Sequence, residues 1–333
     1  CVGDWPGMID ALVDPANSRQ TSCTSELLVP VQVWDKASDL ALTEAAAARS
    51  GLSFPATIAA ADAGIFDGKH RDGICRTADL TRYLIKDITR SGGMGVRWLR
   101  SSDCNFASSI IVQQAWFAGR AYGASFLADD SGTRLLGICR SLFCRIGDRP
   151  FVHSGSVGPV NCFSQAQSDR LLVAAEYVAT TSGLRGIFNI DFIVDVSQQI
   201  YLLEVNPRWS SSSEIIERSL TDSSISLMET SMQAVAGESV ASDGTASLSI
   251  ESGRHWIKRV VFARQQLSFD FESIAKTANR FGQLCDIPAD GLVIEKGHPV
   301  ATLIAEVIPN ASDAQRRDWL NQYAAIVRKI ASA

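Results

Sequence analysis

GIFNIDFIVDVSQQIYLLEVNPRWSSSSE, residues 186–214, is the stretch on which the fold turns. Two apolar runs, Ile187–Val194 and Ile200–Val205, flank a short polar connection, the pattern of a β-hairpin. A symmetric loop over Val196–Gln199 gives cross-strand partners whose positions sum to 395. Asp191 then faces Glu204 and Asn189 faces Asn206, all four on one side because strand side chains alternate. Two directly opposed carboxylates about 5 Å apart repel by about 3 kcal/mol at an effective dielectric near 20. A cation between them removes that cost. Asp191, Glu204 and Asn206 offer hard oxygen ligands, and a few carboxylates completed by substrate phosphates are what Mg²⁺ prefers. An edge hairpin with a solvated polar face is the plainer alternative. The otherwise strongly apolar strands speak instead for a face that lines a site.

An Asp, a Glu thirteen residues on, then x-Asn-Pro-Arg and a serine run together resemble the metal-binding hairpin of the ATP-grasp superfamily. The resemblance implies an α+β fold, with two subdomains gripping ATP, and for most members a carboxylate joined to an amine through an acyl phosphate. It implies ATP and a pair of Mg²⁺ ions, with Mn²⁺ an acceptable substitute, held by Asp191, Glu204 and Asn206. Arg208, just after the Asn-Pro, is implied to hold the transferring phosphate or the substrate carboxylate. The resemblance covers roughly residues 30–305 and is strongest over 186–217.

The 333-residue length allows about two domains and a substantial core, and 46% hydrophobic with 20% charged residues is ordinary for a globular protein. A net charge of −5 argues against nucleic acid and against an anionic membrane surface as partners. No apolar run approaches the roughly 18 residues that span a bilayer, and no signal peptide is visible. The eight cysteines form no CxxC pair and no His lies near two of them, so zinc is unsupported and the expected setting is a reducing cytoplasm. Small-molecule acid and amine substrates, and a homodimer, are the partners compatible with this reading.

The chain opens at Cys1, without an initiator Met, and residues 1–34 are expected to be the remnant of a Rossmann-like N-terminal domain. Residues 35–118 then form a nucleotide module, 119–250 the core with the hairpin, and 251–333 a small β-rich element with a closing helix. Asp35-Lys36 precedes an Ala-rich helix, Ser38–Arg49, ended by Gly51. Lys86 ends the strand Tyr83-Leu84-Ile85 and runs into Ser91-Gly92-Gly93-Met94-Gly95, where glycines permit close approach of backbone N–H groups to phosphate oxygens. The chain has only seven lysines, and the resemblance places Lys36 and Lys86 on the ATP phosphates, with Lys86 also catalytic and Gly92, Gly93 and Gly95 forming a mobile lid. By the same resemblance Gln113, Gln114, Trp116 and Phe117 form the adenine slot. Gln114 stands where relatives have Glu, and Ala121 where many place a ribose-binding Glu.

Further on, Ala121–Ala128 and Leu135–Arg140 are expected as neighbouring strands, Gln165–Ser182 as an amphipathic helix, and 215–235 as largely helical. Ser210–Ser213 have no activating partner in sequence and are expected to be a polar loop that hydrogen-bonds substrate or phosphate. The region 286–299 suggests a tight hairpin before the closing helix Asp313–Ile330. The four histidines are dispersed and are expected to be structural or exposed. Two function classes follow: an ADP-forming carboxylate–amine ligase, or a non-catalytic ATP-binding sensor or assembly protein of the same fold. Within the superfamily, the pattern is most similar to the branch containing the tyramine–glutamate ligase of methanofuran biosynthesis and relatives linked to tetrahydromethanopterin one-carbon metabolism.

Overall fold

A computed structural model of the chain describes residues 31–59, 83–100, 110–114, 119–222, 224–238, 248, 250, 254–278, 281–307 and 313–332. Four short strands, β1 (Thr57–Ala59), β2 (Tyr83–Asp87), β3 (Val96–Trp98) and β4 (Ile110–Gln114), form an antiparallel sheet in the order β1-β4-β2-β3. The larger sheet contains β5 (Arg120–Asp129), β6 (Gly132–Ile146), β7 (Arg149–Gly158), β8 (Gly186–Val194) and β9 (Ile200–Asn206). It continues through β10 (His255–Phe262), and two short strands, β11 (Leu267–Ser268) and β13 (Val293–Ile294), pair with each other beside it. With β12 (Gln283–Cys285) and β14 (Pro299–Val307), the order across the eight strands is β12-β14-β10-β7-β6-β5-β8-β9. The C-terminal strands thus extend the same sheet that carries the hairpin, because β10 pairs with β7.

Alternation divides this sheet into two faces. Tyr122, Ala124, Phe126, Phe188, Ile190, Phe192 and Leu202 point to one face and are buried beneath the helices Leu40–Ser50 and Gln165–Ser182. Both helices have the ends their sequences encode. Asp39 Oδ1 accepts from Ala41 N at 2.9 Å and Gly51 closes the first helix at φ 68°. Ser164 and Gln167 form a capping box on the second, which Gly183 ends at φ 77°. Leu127, Cys139 and Ile187 point to the other face, covered by Ile215 and Ile216 of the helix Ser211–Glu217 and by the helix Leu227–Val235. The closing helix Asp313–Ile330 packs on β14 and on the helix Phe271–Ala278.

Two local expectations are corrected. The helical stretch 215–235 is two helices, because Asp222 Oδ1 accepts from Ser224 N at 2.9 Å and Ser226 caps the second helix; such local bonds compete with the helical ladder. No hairpin forms over 286–299: Val293–Ile294 pairs with Leu267–Ser268, and the apolar run of β14 is buried between β10 and β12. Asp35 and Lys36 do precede the Ala-rich helix, Leu40–Ser50, and they lie in a short helix of their own, Val31–Ala37.

Candidate active site

The hairpin forms with Asp191 opposite Glu204 and Asn189 opposite Asn206, as the hydrophobic pattern requires, but by a route the pattern does not show. Asp195 Oδ1 accepts from Ser197 N at 2.9 Å and Gln199 N at 2.8 Å, and Gln198 takes φ 66°. This turn pairs Val194 with Ile200 and Phe192 with Leu202, partners that sum to 394 rather than 395. Continued unbroken, that register would set Asp191 against Leu203. A β-bulge between Asp191 and Phe192 in the register leaves Leu203 unpaired and restores the sum to 395. The bulge therefore turns Glu204 and Asn206 onto the face of Asp191 and Asn189.

Both oxygens of Asp191 are hydrogen-bonded: Asn189 Nδ2 donates to Oδ1 at 2.7 Å and Asn206 Nδ2 to Oδ2 at 3.0 Å. Arg208 Nη2 donates to Asn206 Oδ1 at 3.4 Å. Burial, and then the charge of Glu204, push the Asp191 carboxyl up to about 7, against the opposing effects of Asn189, Arg208 and Asn206. Gly123 lies opposite Asp191 on β5, where a Cβ would stand 2.9 Å from Asn189 Oδ1 and 3.1 Å from Asp191 Oδ1. Its lack of a side chain makes room for the acidic pocket. The serine run is not the polar loop the sequence suggested. Ser210 caps the helix Ser211–Glu217, and buried Ser212 donates to Asn189 Oδ1 at 3.2 Å, which fixes the amide that supports Asp191.

Lys86 reaches this face from the small sheet, with Nζ 3.5 Å from Glu204 Oε2. The glycine turn after it rests on β7: Gly92 O accepts from His153 N at 2.8 Å, and Trp98 meets Phe151 edge-on at 5.2 Å. At Gly93, φ is 74° and a Cβ would lie 1.9 Å from Phe151 O; at Gly95 it would lie 2.7 Å from Asp87 O. Those two glycines are thus required by close protein backbone. His153 stands within the electrostatic reach of Lys258, Arg208 and Glu204. Burial, then Lys258 and Arg208, push its imidazole down to about 4, with Glu204 opposing.

Other expected site residues are placed differently. Lys36 is exposed on a helix that packs, through Ala37, into the core under Gln165–Ser182, on the sheet face opposite Asp191. Lys36 and Lys86 thus stand on different elements, one on the helix Val31–Ala37 and the other on β2 beside Glu204. Gln113 and Gln114 lie on β4, with backbones paired to Leu84 and Tyr83. Trp116 and Phe117 lie outside the described residues. Sequence reasoning passed over Gly123, whose signal was its place in the alternation of β5, and His153, whose position depends on the pairing of β7 and had no local signal.

The donor set fits a divalent cation carried by a nucleotide. Among the described residues, no three His, Cys, Asp or Glu side chains gather as a self-sufficient metal site. The opposed Asp191 and Glu204 carboxylates share one face with the Asn206 amide, and with that amide turned to present Oδ1 in place of Nδ2 the set suits Mg²⁺ completed by phosphate oxygens and water. Among the described residues, no helix is long and apolar enough to cross a membrane.

The family model for the ATP-grasp domain matches residues 44–212, half of the chain. An uncharacterized protein of Methanocaldococcus jannaschii is 23% identical over 227 residues, which cover 67% of this chain and 50% of that protein. The arginine-specific large chain of carbamoyl phosphate synthase from Halalkalibacterium halodurans is 25% identical over 162 residues, 47% of this chain and 15% of that one. The chain thus spans half or less of these relatives. Among solved structures, carboxyaminoimidazole ribonucleotide synthase from Aspergillus clavatus, complexed with ATP, superposes with TM-score 0.62 at 12% identity, over 86% of this chain and 72% of that one. L-amino acid ligase from Bacillus licheniformis gives 0.63 at 12% identity, over 89% and 73%. At such identities the likeness is one of fold.

Proposed function

The chain belongs to the ATP-grasp domain family, and from that premise we propose that it is the catalytic core of an ATP-dependent carboxylate–amine ligase. The observation that carries the reading is the opposed Asp191–Glu204 pair, flanked by Lys86 on one side and Arg208 on the other. Asp191, Glu204 and Asn206 would hold Mg²⁺, which would neutralise charge on the ATP phosphates. Lys86 places its ammonium on the phosphates in exchange for its present contact with Glu204. Arg208, already oriented by Asn206, offers two parallel N–H donors to the transferring phosphoryl group or to the substrate carboxylate. The carboxylate attacks the γ-phosphorus, and ADP leaves. The amine then attacks the acyl carbon, and phosphate departs as the amide forms. The glycine turn, seated on β7, keeps water from the acyl phosphate in between. Glutamate as the acid and an amine such as tyramine, in the assembly of a one-carbon carrier, are the finer assignment that the sequence pattern supports.

The test is incubation with ATP, Mg²⁺, glutamate and a panel of amines including tyramine, read by mass spectrometry. ADP together with an amide is the expected outcome. AMP as the nucleotide product contradicts the mechanism, and absence of turnover with every pair favours a non-catalytic ATP-binding protein.

A further inference from the structure

The helix Ser211–Glu217 leaves the hairpin and crosses the sheet face, and it brings a second charged cluster beside the first. Lys258 on β10 is only 7% exposed, with Nζ 2.6 Å from Glu214 Oε2. Glu214 Oε1 accepts from Arg218 Nη2 at 3.2 Å. Arg218 also donates to Gln283 Oε1 at 2.9 Å and lies over the Trp256 ring at 5.5 Å, so its guanidinium is held on three sides. His153 links this cluster to the hairpin, since it feels Lys258 as well as Arg208 and Glu204.

The cluster holds two cations and one carboxylate. An ammonium has three N–H donors and a guanidinium five. Among the described residues Lys258 donates to Glu214 alone, and Arg218 Nε is buried without an acceptor. Unpaired buried donors are costly, and the cluster is left with one positive charge in excess of its carboxylate. One anionic ligand group that accepts from both side chains settles both costs. Lys86, Arg208 and the hairpin are already committed to the nucleotide and the reacting carboxylate, so this anion is an additional one.

We propose that the acid substrate carries two carboxylates: one reacts beside Arg208, while the other, a spectator, docks on Lys258 and Arg218. The substrate class is then a dicarboxylic acid or dicarboxylic amino acid. This inference rests on the ligase reading for its chemistry, and on the Lys258 cluster alone for its binding.

The experiment compares glutamate and aspartate with counterparts that keep one carboxylate, 4-aminobutyrate, 2-aminobutyrate, β-alanine and alanine, under ATP, Mg²⁺ and the amine panel. A dicarboxylate should be preferred by at least about 10-fold, and Lys258→Met should raise its KM by about 10- to 100-fold, the worth of a charged hydrogen bond. The KM for ATP should stay unchanged and the preference should vanish. Arg218→Met leaves the Lys258–Glu214 pair in place and should weaken the preference in the same direction, which keeps the test open if Lys258→Met unfolds. Equal use of one- and two-carboxylate acids overturns the proposal, as do variants that lose thermal stability without a change in preference. Calorimetric binding of the same acids, with a non-hydrolysable ATP analogue and Mg²⁺ present, needs no turnover and separates this proposal from the ligase reading. Dicarboxylate binding that is lost in Lys258→Met supports the subsite even where no product forms. Failure of every dicarboxylate in the panel to bind overturns the subsite, whatever the amine assay gives.

Discussion

Asp191 is buried and faces Glu204, and burial first and that repulsion second raise its proton affinity. An energetic penalty at a functional position is commonly traded against stability of the ligand-free protein. Asp191→Asn should therefore raise the ligand-free melting temperature at pH 8 by a few degrees, on the order of 2–4 °C. The same variant should lose the further rise that Mg²⁺ and ATP give the native protein, and thermal melts with and without both ligands check the pair of effects. Glu204→Gln keeps shape but removes the charge proposed to bind Mg²⁺, so turnover should fall below detection while circular dichroism is unchanged. Arg208→Lys substitutes a point charge for a planar fork. Steady-state kinetics should show kcat reduced by at least about 10-fold, the scale of a charged hydrogen bond, with the KM for ATP nearly constant.

Two elements locate these side chains: the β8–β9 hairpin and the glycine turn between β2 and β3. The hairpin was legible because apolar alternation specifies which residues share a face, and the buried side of Ile190, Phe192 and Leu202 enforces it. The bulge at Leu203 was not legible, since a one-residue asymmetry in the turn and a one-residue bulge cancel in the sequence pattern. Helices with strong caps, such as Gln165–Ser182, were equally plain, whereas the Asx turn at Asp222 broke a helix that periodicity alone would continue. The dipeptide Asp35-Lys36 carried no signal for which layer its helix joins. The glycine turn makes a sharper prediction. A methyl group at position 93 meets the Phe151 carbonyl and a strained φ, so Gly93→Ala should unseat the turn from β7. Hydrogen exchange should quicken at the His153 amide, which Gly92 now holds, and ATP hydrolysis without amide formation should rise relative to ligation.

At the scale of the whole molecule, the sheet brings together residues from strands far apart in sequence, and their titrations oppose one another. Asp191 has its folded pKa raised from 3.8 to about 7, so the native state binds the extra proton in that window and stability falls as pH rises through it. His153 has its pKa lowered from 6.5 to about 4, so stability rises with pH across that window. The two slopes offset each other between about 4 and 6.5 in the Mg²⁺-free protein. His153→Gln should remove the compensation and leave a melting temperature that declines from pH 4 towards pH 7, where the native protein stays nearly level. The proposed chemistry depends on the assembled face, where Lys86 from the small sheet and Arg208 from the end of the hairpin would act on one phosphoryl group. Its most direct test is isotope transfer from an acid substrate labelled with ¹⁸O in its carboxyl group. Acyl-phosphate ligation predicts one ¹⁸O atom in the inorganic phosphate released for each amide formed, with unlabelled ADP. Label recovered in AMP, or phosphate free of label while amide accumulates, would contradict the account.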